Sequence, residues 1–125
     1  MRWGRRPRRE EEAAPWSWPY RGTLVWLSNE EGGRSSGPPA QAPDRDFYAT
    51  TAFVPPHTVE TGLASFVIRG FDPNGMTSPA EARWLVPGVG DFQAIEPGAI
   101  VVVTEGARTV AHFRVDEVDD APSSP

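Results

Sequence analysis

The sequence predicts an all-β domain, either a closed barrel or a two-sheet sandwich, and three observations carry that expectation. Gly and Pro together supply 26 of 125 residues, about twice the share a helical domain tolerates, because Pro breaks helix interiors and Gly loosens them. Apolar residues alternate with polar ones at a period of two in several short stretches, the spacing of a half-buried strand. The stretches are divided by turn-forming residues. No apolar pattern with helical spacing runs for a useful length, and no heptad or internal repeat is present.

Residues 20–28 are the first strand candidate. Residues 47–54 are aromatic and β-branched, and Pro55-Pro56 ends them. Ala64, Phe66 and Ile68 alternate with Ser65 and Arg69. Asp72-Pro73-Asn74-Gly75 follows, a turn in which Pro presets φ and the Asp and Asn side chains bond local backbone. Ala80, Ala82, Trp84 and Val86 alternate with Glu81 and Arg83 until Pro87-Gly88. Pro97-Gly98 opens the continuous apolar run 99–104, as expected of a strand buried on both faces or lying in a barrel wall. Glu105-Gly106-Ala107 reads as a hairpin loop. Beyond it Ala111, Phe113 and Val115 share one face, with His112, Arg114 and Asp116 on the other. Six or seven short strands follow from this reading, and a barrel or sandwich is the arrangement that hides their edges.

Composition excludes whole classes of chemistry. With no Cys there are no disulfides, thiol nucleophiles or thiolate metal sites. All 12 basic residues are Arg, so a phosphate-binding loop with its Lys, a Schiff base and a Lys general base are excluded. His57 and His112 are the two histidines; they lie far apart without metal-ligand spacing and read as surface residues. No acid, base and nucleophile converge, and the expectation is a protein that is not an enzyme, with no cofactor, metal or small-molecule substrate.

Residues 1–9 carry five Arg and no acid, whereas residues 10–125 hold seven Arg and 17 acids, a balance of −10. An acidic body disfavours phosphate binding, which needs positive charge to release counterions. The basic arm reads either as a contact for nucleic acid or an acidic membrane surface, or as a solvated leader. No apolar segment follows it as in an export signal, and no stretch approaches 18 apolar residues; the expectation is a cytoplasmic protein without membrane contact. Residues 1–19 form an arm, 20–118 the barrel and 119–125 an acidic tail. Trp26 and Trp84 sit in strand patterns and read as core. Trp16 and Trp18 lie between prolines and either staple the arm to the barrel or anchor a partner.

Two segments carry a family resemblance. The first is Leu27-Ser28-Asn29-Glu30-Glu31-Gly32-Gly33-Arg34, with Asp46-Phe47-Tyr48-Ala49-Thr50-Thr51 after a loop. The second is residues 96–110, EPGAIVVVTEGARTV. In order and spacing they resemble the C-terminal β-barrel domain of bacterial elongation factor Tu. The likeness spans roughly residues 20–118, with residues 55–95 agreeing only in strand-and-turn rhythm. It implies a six-stranded antiparallel closed barrel. The family's GTPase domain has no counterpart in these 125 residues, so nucleotide hydrolysis is not implied. What is implied is a translation-associated binding module contacting tRNA, a translation factor or a ribosomal protein through Arg34, Glu105, Gly106 and Arg108. Gly32 and Gly33 would serve the turn. Thr104 stands where the family has Arg, which removes a positive charge. Read as residues alone, the Gly-Gly turn either presents Arg34 to a partner or lets it pair with a carboxylate that pins the loop. The 105–108 tip is either a contact or an ordinary hairpin with Gly106 in a left-handed conformation. The alternative function is a protein-interaction module that keeps the barrel without RNA binding.

Overall fold

Alternation sorts each strand's side chains onto two faces, and the apolar faces meet inside a closed cylinder. A computed structural model describes residues 17–34 and 47–119. Its strands are β1 (Tyr20–Trp26), β2 (Phe47–Phe53), β3 (Ala64–Arg69), β4 (Thr77–Trp84), β5 (Ile100–Glu105) and β6 (Arg108–Val118). They form an all-β, six-stranded closed barrel in the order β1-β4-β3-β2-β5-β6, with every neighbouring pair antiparallel. The barrel therefore replaces the sandwich alternative. Closure gives each of the six described strands a neighbour on both sides, which removes the free edges that recruit other chains.

The inward residues are those the alternation picks out. Leu24, Phe66, Ile68, Ala82, Trp84, Val101, Val103, Ala111, Phe113 and Val115 are buried in one cluster. Phe66 meets Trp84 edge-on at 4.9 Å and Phe113 at 6.3 Å. Trp26 is edge-on to Tyr48 and Phe71, at 5.8 and 5.7 Å. Such rings contribute large apolar areas and favour these tilted arrangements. The indole N–H groups of Trp26 and Trp84 are buried without a hydrogen-bond partner among the described residues, and an unmade buried bond costs stability. His112, Arg114 and Asp116 face solvent as expected.

Several details depart from the expected pattern. Strand β4 begins three residues before Ala80 and ends at Trp84, because its ladder to β1 starts at Thr77. Pro79 is tolerated there because β4 has outrun β3, whose ladder begins at Glu81. Leu85 and Val86 consequently fall outside the strand and are exposed. Two one-turn helices, α1 (Val59–Gly62) and α2 (Val89–Phe92), cap one end. Thr58 starts α1 with a capping box to Thr61. Gln93, buried just after α2, ties the two helical segments together. Its Oε1 accepts the Val54 N–H at 2.7 Å and its Nε2 donates to the Gly62 carbonyl. His57 is half-buried rather than a free surface residue, with its ring 4.6 Å from that of Phe92.

Residues 17–19 form a strap on the outer wall. Ser17 O accepts from Arg83 Nη1 at 3.1 Å. The Arg69 guanidinium lies 4.4 Å from the Trp18 ring centroid, and Phe47 lies 6.4 Å from it. Trp18 thus packs against the outer wall at Phe47 and Arg69. Val67 points outward by register yet is fully buried, between the strap's anchors Arg69 and Arg83. The expectations for Trp16, the basic arm and the terminal tail concern residues 1–16 and 120–125, which lie outside the described residues. No described helix is long and apolar enough to cross a membrane.

Candidate functional site

The residues after β1 form a tightly bonded bend. Ser28 caps a 3₁₀ turn over Asn29–Glu31: its hydroxyl accepts the Glu31 N–H at 3.2 Å, and Glu31 Oε1 accepts the Ser28 N–H at 2.7 Å. The Ser28 N–H bond first, and then the Ser28 side chain, hold the Glu31 carboxyl below the usual carboxylate value. Gly32 takes φ 93°, and Gly33 N donates to Ser28 O at 2.9 Å. A Cβ on Gly33 would lie 2.2 Å from Leu27 O, so only glycine lets the chain pass this close to its own preceding strand. The bend then delivers Arg34 to the barrel.

The opposite half of the site is the β5–β6 hairpin. Glu105 pairs with Arg108 across Gly106-Ala107, with Gly106 at φ 63°. A register shift between Val103 and Thr104 leaves Val110 as the extra residue of β6, and the Val110 carbonyl accepts the Leu27 N–H at 2.9 Å. This bulge is what brings the bend and the hairpin together.

The two halves meet at Glu105. Arg34 Nε donates to Glu105 Oε2 at 2.8 Å, with about a quarter of the Arg34 side chain and a third of the Glu105 side chain exposed. The Tyr48 hydroxyl donates to the same oxygen. Burial, and then the Glu105 bond, push the Tyr48 phenol well above the ordinary tyrosine value, so it stays a donor. Arg108 Nη1 reaches the Gly33 carbonyl at 3.4 Å, a long hydrogen bond. The predicted residues Arg34, Glu105, Gly106 and Arg108 are therefore assembled in one place, with Gly32 and Gly33 shaping the approach. The loop-pinning role for Arg34 is what the geometry displays.

Sequence reasoning passed over Tyr48 and the threonines. Thr104 is fully buried; it does not stand at an exposed position awaiting a phosphate. Its hydroxyl lies 2.6 Å from that of Thr51, and its carbonyl accepts from the Thr50 and Thr51 hydroxyls. These bonds reinforce the seam between β2 and β5, whose ladder runs only from Thr51 to Phe53. The Thr50-Thr51 pair visible in the sequence was the available signal.

Elsewhere on the barrel, positive charge among the described residues is largely engaged. Arg21 pairs with Glu117 at 3.2 Å, Arg69 with Glu81 at 2.9 Å and Arg114 with Asp116 at 3.5 Å. Arg83 donates to the carbonyls of Trp84 and Ser17. A cavity of about 460 Å³ on the barrel wall is lined by Arg21, Glu81, Asp116 and Glu117 among others, away from the bend and the hairpin tip. Among the described residues no three His, Cys, Asp or Glu side chains are grouped to hold a metal ion. Residues 33–37 also read Gly-Arg-Ser-Ser-Gly, the spacing of a nucleophile elbow. That motif works at a sharp strand-to-helix turn. Here Gly33 and Arg34 follow a 3₁₀ turn and bond to the hairpin tip, and residues 35–37 lie outside the described residues. Compared with known protein families and with curated proteins, the chain matches none.

Proposed function

We propose that the chain is a non-catalytic binding module related to the C-terminal barrel of elongation factor Tu. Its contact surface is the joint between residues 32–34 and 105–108, and its partner is a protein of the translation apparatus. The observation that carries this reading is the 2.8 Å pair between Arg34 and Glu105. The two segments on which the resemblance rests, 71 residues apart, meet at that pair. The same pair neutralises the arginine that a phosphate would need, which favours a protein over RNA. A joint held on a barrel by the Arg34–Glu105–Tyr48 bonds is also the kind of preordered surface that proteins recognise at low entropic cost.

An RNA partner is the second reading, and one observation favours it: Arg108 is exposed at the tip and, among the described residues, held by the long bond to Gly33. Affinity capture from cell extract with and without RNase, on the chain and on Arg108→Glu, separates the two. The protein reading predicts partners that survive RNase and are lost from the variant. Capture that vanishes with RNase would overturn it, as would aminoacyl-tRNA binding tighter than about 1 μM at physiological salt, beyond the non-specific range.

A further inference from the structure

The capped end of the barrel holds two adjoining cavities that the joint does not use. One is a groove of about 290 Å³ between α1 and α2, lined by Leu63, Pro87, Gly88, Val89 and Phe92 among others. The other, of about 150 Å³, lies beside the strap and is lined by Ser17, Tyr20, Arg83, Val86, Gly88 and Gly90 among others. Pro87 and Gly88 belong to both. Gly88 takes φ 96°, and a Cβ there would meet nothing within 4 Å, so open space adjoins the residue that the two cavities share. Val86 is 52% exposed and Phe92 61%, and clustered apolar exposure of this kind marks ligand-binding grooves.

The smaller cavity supplies a polar end. Among the described residues lining the two, Arg83 is the one that carries charge. Its bonds to the carbonyls of Trp84 and Ser17, at 3.0 and 3.1 Å, hold the guanidinium in the cavity wall. Burial raises the Tyr20 phenol above its ordinary value, so the hydroxyl stays protonated at neutral pH and remains a donor. A Cβ on Gly90 would lie 3.6 Å from the Tyr20 hydroxyl oxygen and 3.7 Å from Trp84 Cδ1. The phenol and the indole edge thus meet over a residue with no side chain. Cδ1 is bonded to the Trp84 Nε1, whose N–H is buried without a partner among the described residues. Asp91 is exposed and belongs to neither lining.

We infer that the paired cavities bind a medium-chain fatty acid, with its carboxylate at Arg83 and Tyr20 and its alkyl chain laid past Gly88 into the groove between Leu63 and Phe92. The ligand matches the surface at both ends. A carboxylate takes charge-assisted hydrogen bonds from a guanidinium, and the methylenes leave water against Val86, Val89 and Phe92. The two cavities together are of the size that holds small ligands. Arg34, Glu105 and Arg108 line neither cavity, so this site works independently of the joint.

Titration of the full chain with hexanoate, octanoate and decanoate below their micelle thresholds, followed by amide shifts, tests the inference. Shift changes are expected at Leu63, Gly88, Gly90 and Phe92, with Kd tightening about fourfold per added methylene. Octanol, the same chain length without the charge, is expected to bind about tenfold more weakly than octanoate, as is octanoate to Arg83→Gln. Gly90→Leu fills the corner at a residue whose Cβ would make only ordinary contacts; it is expected to abolish binding while urea unfolding stays cooperative. Unmoved signals at the four residues would overturn the inference. So would an affinity that ignores chain length, octanol binding as tightly as octanoate, or shift changes centred on the Arg21–Glu117 cavity or the Glu105–Arg108 tip.

Discussion

Glu105 is the residue on which the joint turns, because one of its oxygens accepts both from Arg34 and from Tyr48. Removing the carboxylate would leave a part-buried guanidinium and a part-buried phenol without their shared acceptor, a larger loss than the bonds alone. The protonated phenol has a measurable consequence. Tyr20 and Tyr48 are the two tyrosines, and burial raises both above the ordinary value of 10.0. Above pH 10 the folded chain thus holds protons that the unfolded chain has released, and stability falls as pH rises through the folded values. Below pH 10 this contribution is complete. Phenolate absorbance of the native chain is therefore expected to show no component titrating at the free-tyrosine value, and Tyr48→Phe is expected to shrink the alkaline loss of stability measured in urea. A native component titrating at the free value would show a solvated phenol.

Among the elements, the bend between β1 and β2 is the most constrained by its sequence. Gly33→Ala places a methyl group against Leu27 O, and a cost on the order of 1–3 kcal/mol is expected from the strain. Urea unfolding reads the cost. Shift changes at Glu105 and Tyr48 would show that Arg34 has left its pair. The strands were largely legible in the sequence because alternation is local: the inward set Ala111, Phe113, Val115 of β6 could be read directly and is buried. The ends of β4 were not, because apolar Val86 extends its pattern past Trp84, whereas two long-range ladders set its bounds, to β1 from Thr77 and to β3 up to Trp84. The one-turn helices α1 and α2 are too short to show a helical period. Gln93 gave no local signal, since its role comes from two backbone groups distant in sequence, Val54 just after β2 and Gly62 of α1. In the joint, the glycines and arginines could be read from their motifs, whereas the Tyr48 contribution depended on where the barrel placed its hydroxyl.

For the whole molecule, closure concentrates the core on few large side chains. Phe113 packs fully buried near Phe66, which in turn meets Trp84. Phe113→Ala should cost about 3–5 kcal/mol, a large part of the roughly 5–15 kcal/mol that holds a domain of this kind folded. Thermal melting checks this; a change within about 0.5 kcal/mol, typical of surface sites, would place Phe113 outside the core. The β2–β5 seam is the shortest ladder, strengthened by the Thr50 and Thr51 hydroxyls on Thr104. That seam holds Tyr48 of β2 and Glu105 of β5 within bonding distance, so the barrel's closure and the joint's geometry depend on one another.

The central claim is that the Gly-Gly-Arg bend and the hairpin tip form one locked surface through Arg34 and Glu105. A double-mutant cycle with Arg34→Met and Glu105→Gln, read by urea unfolding, tests it most directly. The account predicts a coupling on the order of 1 kcal/mol, as for a well-aligned, partly buried ion pair. Single losses that add within about 0.3 kcal/mol would contradict it.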